Sequence, residues 1–385
     1  MSSVLGCALE GASLCAMLSV KSPFFRIYKK SEYDARSAYR RKYLRPGGTK
    51  SDHCFLASLI LLDERRVLTR DYCTDVLKLN YDALHDAKKL RAQYLQSLSF
   101  LGFPVNATRP RVFVGHGGSD GITTDSTVVA RTGGTSASTS TLSSRAVAEI
   151  RQAPQWFLLR AAVSASFFLV KAMKPPPTYK RFANGSSIQL SPDPLLTKYY
   201  QLERDPFLWN VNLDARTGEY VEQRNPMRYH TNPNSLFHAE GPTSCYLCHT
   251  NLFCQNNQLT LDTMSEAAPL AVLLLGTFSK EPFFREDGLI FVDDGKLVFS
   301  TTGSLDFLRP PSQAAKSAAG GAGPAGSSNN TSKENTLISH LVERLRYEMR
   351  ENILKRKIED PTYDLESNPI VKAVKMLIAT DGMGY

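Results

Sequence analysis

The chain has 385 residues, of which 42% are apolar and 10% aromatic, so it can bury a sizeable core and form roughly two domains. Its seven cysteines are an odd and sparse set, which excludes a disulfide framework and indicates a reducing compartment, cytoplasm or nucleus. The formal net charge is +9, and the segment from Lys21 to Lys50, with ten basic and two acidic residues, carries most of it. Such a localised excess indicates a polyanionic partner.

The N-terminal region, residues 1–122, is predicted to be mainly helical. Its first twenty residues are apolar but lack a basic start and contain Glu10, so we expect no signal peptide. Ser31 to Leu44 predicts a helix with Ser31 as its N-cap. Residues 53–100 show helical periodicity, which Gly102 and Pro104 end.

Aromatic rings alternate with cations in the basic segment, a combination that suits phosphates and unstacked bases. We therefore predict that this segment binds nucleic acid. The alternatives are an amphipathic helix that packs its tyrosines on the core, and nuclear import through residues 39–42. The predicted nucleic-acid-binding residues are Arg26, Lys29, Lys30, Arg36, Arg40, Arg41, Lys42 and Arg45.

A short apolar strand, Arg111 to Val114, runs into a glycine-rich turn from Gly115 to Gly121. This segment resembles the opening strand and loop of TIR-like nucleotide-hydrolysing domains, which would imply an enzyme acting on a nucleotide. Residues 123–144, rich in Ser, Thr and Gly, follow without the helix that such a site needs. A plain surface loop is therefore the alternative, and residues 123–144 are predicted to be a flexible loop.

Residues 145–311 form a predicted mixed region. Gln155 to Met173 is expected to be a buried helix, because its charge-free part, Ala161 to Val170, is too short to cross a bilayer. Asp293-Asp294-Gly295 predicts a hairpin between the apolar segments on either side.

Three cysteines lie close together in this region: Cys245, Cys248 and Cys254. Cys245 and Cys248 have the spacing with which zinc knuckles present two thiolates, and we predict a structural Zn²⁺ with His238 as fourth ligand. His249 and His230 are the other nearby histidines. A redox pair or reduced structural cysteines are the alternatives.

The form of the cluster, Cys-x-Leu-Cys followed by a third cysteine, resembles the zinc loops embedded in herpesvirus nuclear proteins, among them DNA-packaging and single-strand DNA-binding proteins. That resemblance implies a viral nuclear or packaging function.

Residues 312–333 predict a Gly/Ala/Ser linker, and residues 334–385 a C-terminal helical region. Within it, residues 334–359 form an amphipathic helix with an apolar stripe that includes Leu341, Leu345, Met349 and Ile353. This stripe must dock on the protein's own body or on a protein partner.

Together these features predict an α+β fold: a helical N-terminal region, a middle region of short antiparallel strands around a zinc knuckle, and a C-terminal amphipathic helix. The predicted function is that of a non-enzymatic, zinc-stabilised assembly protein associated with DNA or RNA and not with a membrane. One alternative is a structural or capsid-type subunit with a basic N-terminal arm. Another is an enzyme that uses the Gly115–Gly121 loop.

Overall fold

A computed structural model describes most of the helices and strands of the chain. The described residues are 1–20, 23–25, 31–32, 50–65, 68–75, 77–103, 105, 155–173, 178–181, 187–190, 197–201, 228–255, 258–276, 282–284, 289–292, 297–300 and 340–380. The predicted basic surface, the Gly115–Gly121 loop, the loop 123–144 and the linker 312–333 lie outside them.

The fold is α+β, as the sequence predicts. Its helices are α1 (Ser2–Leu5), α2 (Ala8–Ser19), α3 (Asp52–Glu64), α4 (Arg70–Asp75), α5 (Tyr81–Phe100), α6 (Gln155–Ser166), α7 (Leu236–Glu240), α8 (Pro269–Leu275), α9 (residues 340–359) and α10 (Pro369–Thr380). Within α9, Glu348–Leu354 is π-helical. None of the helices in the described part of the chain has the length and hydropathy of a membrane span.

Two helices begin with the side-chain caps that their sequences favour. The Ser51 hydroxyl accepts a hydrogen bond from the Cys54 amide at the start of α3. The Asn80 side chain accepts hydrogen bonds from the Asp82 and Ala83 amides at the start of α5. These bonds satisfy backbone donors that have no partner within the first helical turn.

Five strands close into a barrel in the order β1–β4–β5–β7–β6, with β6 pairing back onto β1. Among the strand pairs of the described residues, β5–β7 is parallel and the others are antiparallel. The strands of the structure are β1 (Phe168–Met173), β2 (Thr178–Arg181), β3 (Ser187–Leu190), β4 (Lys198–Gln201), β5 (Arg228–Thr231), β6 (Tyr246–Gln255), β7 (Gln258–Glu266), β8 (Phe283–Phe284), β9 (Leu289–Val292) and β10 (Leu297–Ser300). The hairpin predicted around residues 293–295 is confirmed, because β9 and β10 pair antiparallel with Leu297 opposite Val292.

The apolar run that predicts one helix up to Met173 divides in two. It is helical only from Gln155 to Ser166, and Phe168–Met173 is the first barrel strand. The reason is tertiary: β1 gains a hydrogen-bonded neighbour on both sides, β4 and β6, which a continued helix would forgo.

One large core joins the N-terminal helices, α6, α9 and α10. Val4 and Leu5 of α1 are 1% exposed, and Trp156 of α6 is also 1% exposed. Met349 and Ile353 of α9 lie in the same core, and Arg346 donates hydrogen bonds to the carbonyls of Leu273 and Gly276. The C-terminal helix therefore docks on the protein's own body, while binding to a protein partner stays a prediction.

Candidate nucleic-acid interface

The predicted zinc ligands lie on a strand and a nearby helix. Cys248 is buried in β6, where its thiol contacts the Ser265 carbonyl at 3.5 Å, whereas Cys254 is exposed six residues further along the same strand. Six extended residues span roughly 20 Å. His238 lies in α7, with its Nδ1 atom 3.2 Å from the Thr231 hydroxyl.

A tetrahedral site with Zn–S bonds of about 2.3 Å would require these elements to rearrange. Among the described residues, no three His, Cys, Asp or Glu side chains form a group that could hold a metal ion. Burial raises the pKa of the Cys248 thiol to about 12. The zinc site stays a prediction.

The barrel strands β1, β4 and β5 have an apolar inner side and a basic, aromatic outer side. Ala172 lies opposite Tyr199, which lies opposite Tyr229, and all three are buried in the interior cluster. Side chains alternate between the two sides of a strand, and residues that face each other across strands share a side. The neighbouring residues therefore point outwards.

Lys171, Tyr200 and Arg228 are consecutive in one outer row across these three strands. Tyr200 is half-buried and Arg228 is exposed. Lys198 and His230 occupy the adjacent outer positions. We call this surface the barrel face; it consists of Lys171, Lys198, Tyr200, Arg228 and His230.

A long hairpin, β6–β7, borders the barrel face. His230 lies opposite Thr260, which in turn lies opposite Phe253. Leu252 and Phe253 are 43% and 36% exposed. The hairpin thus places an aromatic ring in line with the outer positions of β5.

A cavity of about 140 Å³ lies beyond the barrel face, between the end of β5 and the helices α2 and α3. Thr263 lines it with a φ of +45°, a conformation that β-branched residues rarely adopt. Such backbone strain costs roughly 1–3 kcal/mol and is concentrated at functional sites in proteins.

A buried polar junction fixes the helical layer against the barrel. The Asp52 carboxylate accepts hydrogen bonds from the Ser235 hydroxyl at 2.5 Å, from the Leu236 amide at 2.8 Å and from the Met264 amide at 3.0 Å. Asp52 is 4% exposed, and these bonds replace the water that its charge has lost. They link the start of α3 to both α7 and β7.

His53 and Ser265 form the second half of this junction. The His53 Nδ1 atom lies 2.6 Å from the Ser265 hydroxyl, which lies 2.5 Å from the Ser51 hydroxyl. Burial, with a smaller effect of nearby His249, lowers the pKa of His53 to about 3. Since Asp52 bonds to α7 and β7 and not to His53, the three side chains do not form a catalytic triad, which needs the carboxylate to orient the histidine.

The nucleic-acid-binding residues predicted from the sequence, between Arg26 and Arg45, lie outside the described residues, and the barrel face was not among the predicted sites. Two short sequence patterns could have indicated the barrel face. They are Lys198-Tyr199-Tyr200 and Arg228-Tyr229-His230, and each places a buried tyrosine between two polar or aromatic neighbours. Comparison of the chain with known protein families and with curated proteins gives no match.

Proposed function

We propose that the protein binds single-stranded nucleic acid on the barrel face. The observation that supports this proposal is the order in which the barrel strands are connected. In chain order the barrel strands are β1, β4, β5, β6 and β7, and around the barrel they follow the order first, second, third, fifth, fourth. The third and fifth strands are parallel, and α7 connects the third to the fourth.

This is the connectivity of OB-fold barrels, in which the surface of the second and third strands and the flanking loops bind oligonucleotides or oligosaccharides. In this protein the second and third strands are β4 and β5, which carry four of the five residues of the barrel face. The loop between the fourth and fifth strands is the tip of the β6–β7 hairpin, beside Phe253.

The side chains on this surface favour nucleic acid over a neutral sugar. Lys171, Lys198 and Arg228 supply three cations for phosphates, and Tyr200 supplies a ring between two of them. Base stacking on an aromatic side chain is worth roughly 1–3 kcal/mol per base and requires an unpaired base. The combination of cations and an accessible ring therefore supports binding of a single strand.

The predictions from the sequence extend this proposal. The basic residues between Arg26 and Arg45 would add phosphate contacts, and the herpesvirus resemblance of the cysteine segment would place the activity in a viral nuclear or packaging protein. Assembly through a protein partner, structural zinc and nuclear or cytoplasmic location remain parts of the same hypothesis.

The test is fluorescence anisotropy of a short labelled oligothymidylate with the full chain at low and physiological ionic strength. We expect Tyr200→Ala to weaken binding about tenfold through lost stacking. Arg228→Ala should weaken binding and reduce the slope of log affinity against log salt concentration by about one, the value for one phosphate contact. The exposed residues Tyr347 and Lys89, on α9 and α5, provide matched control substitutions to alanine.

Absence of binding at low salt, or equal effects of the test and control substitutions, would contradict the proposal. The triple substitution of Arg40, Arg41 and Lys42 by alanine separates the two surfaces. Loss of binding in this variant alone, with Tyr200→Ala and Arg228→Ala unchanged, would assign the activity to the basic segment instead.

A further inference from the structure

The cavity beyond the barrel face is large enough for one aromatic ring. Its volume is about 140 Å³, and an engineered protein cavity of about 150 Å³ holds benzene. A single six-membered ring therefore fits it, whereas a purine would need additional room.

One wall of the cavity is apolar. It includes Leu18 and Val20 at the end of α2, together with Phe24 and Leu56. The ring of Phe24 stacks on the fully buried Phe55 with an angle of 11° between the ring planes, so its position is fixed by the core. A flat, apolar wall of this kind suits the face of a ring.

The rest of the lining is largely polar and includes the half-buried carboxylate of Asp262. The Asn232 amide donates a hydrogen bond to Asp262 Oδ1 at 2.8 Å, and its carbonyl accepts one from the Asn234 amide at 2.8 Å. Asn232 is thus engaged on both sides and holds Asp262 in place. Within the described residues, Asp262 Oδ2 has no hydrogen-bond partner, and the side chain is half-buried.

The other carboxylate of the cavity has a structural role. Asp52 lines the same space, but it accepts the three hydrogen bonds that link α3 to α7 and β7. Asp262 is therefore the carboxylate that the cavity offers to a ligand. A carboxylate pairs with the exocyclic amine of cytosine, whereas thymine and uracil present a carbonyl oxygen at that position.

The cavity continues the barrel face. Arg228, His230 and Asn232 are alternate residues of one extended segment, since the chain remains hydrogen-bonded to Leu261 at Asn232. Consecutive outer positions are about 7 Å apart. A nucleic-acid strand that lies across Tyr200 and Arg228 can therefore reach the cavity, which is two outer positions further along this segment.

We propose that this cavity binds one base of the nucleic acid, a pyrimidine with an exocyclic amine, whose amine donates to Asp262. The inference rests on the proposed binding of single strands to the barrel face. It makes Asp262 a specificity-determining residue, and it predicts that the protein distinguishes cytosine from thymine although the barrel face itself does not.

The experiment compares labelled oligodeoxycytidylate and oligothymidylate of equal length by anisotropy with the full chain. We expect the wild-type protein to bind the cytidylate about tenfold more tightly, the value of one good hydrogen bond to a charged group. Asp262→Asn should remove this preference and preserve thymidylate binding, because its amide can donate to the thymine oxygen. Asp86→Asn, at an exposed position on α5, is the matched control.

A second variant tests the cavity without changing charge. Val20→Phe should fill the cavity and reduce cytidylate affinity to that of thymidylate. Equal wild-type affinities for the two oligonucleotides, or an undiminished preference in both variants, overturns the inference and leaves the proposed function intact. Failure of the wild-type protein to bind either oligonucleotide overturns both.

Discussion

Acidification should destabilise the protein through His53, which is 0% exposed at the start of α3. Its pKa falls from 6.5 to about 3, chiefly because burial disfavours the imidazolium form. Below pH 6.5 the unfolded chain binds a proton at this histidine, whereas the folded chain stays neutral until about pH 3. The contribution to stability is therefore full above pH 6.5 and decreases as the pH falls.

The free energy of unfolding should decrease by about 1.4 kcal/mol for each unit of pH within this window, or about 2 kcal/mol between pH 6.5 and pH 5. Since burial also lowers the pKa of His238 and His249, the total decrease in the wild-type protein should be larger. The contribution of His53 is the difference between the wild-type protein and His53→Asn, which does not titrate and can still bond to Ser265.

Urea denaturation at several pH values, followed by circular dichroism, measures this difference. We expect His53→Asn to lose less stability on acidification than the wild-type protein, and His85→Asn, at an exposed position on α5, to lose as much as the wild type. If the His53→Asn and wild-type proteins lose the same free energy between pH 6.5 and pH 5, the histidine is protonated or exposed in the folded state and the reasoning fails.

Three further predictions concern the rest of the fold. Asp52→Ala should lower the free energy of unfolding by about 3 kcal/mol or more, because three buried donors lose their acceptor; urea denaturation measures it, and an Asp86→Ala variant that loses as much would refute the assignment. Arg346→Ala should accelerate hydrogen exchange in α9 while leaving α5 protected, since its guanidinium holds α9 to two carbonyls of the core; unchanged exchange would contradict this. A thiol reagent should modify Cys15 and Cys254 first in the native protein, because both are exposed; reaction of Cys254 and Cys245 only after a chelator is added would show instead that the predicted zinc site holds metal.

Local signals in the sequence predict the elements that depend on short-range interactions. The apolar periodicity of residues 53–100 predicts α5, and Asp293-Asp294-Gly295 predicts the turn between β9 and β10. No short-range pattern in the sequence predicts the boundary between α6 and β1. Phe167 and Phe168 lie within one apolar run, and only pairing with strands far along the chain makes the second of them the start of a strand.

The barrel and its cavity depend on contacts between distant segments, which is why the sequence did not predict them. β4 and β5 have four residues each, too few for an alternating pattern to be distinctive. The spacing of Cys245 and Cys248 predicts a zinc knuckle, but residues 246–255 form a strand because β7 pairs along almost its whole length. Asp262 and Asn232 meet across β7 and β5, at a separation of thirty residues.

The packing of the described helices explains why the barrel face can carry charge. β6 and β7 pack against α3 and α6, and the hydrogen bonds of Asp52 and Ser265 hold them there. Among the described residues, α7 meets β4 and β5 on their inner side, where Phe237 shares a buried cluster with Tyr199 and Tyr229. A buried sheet surface must be apolar, whereas an open one can carry charge at little cost. The cations of β4 and β5 therefore lie where the fold leaves the barrel open, and the cavity lies where the open and covered surfaces meet.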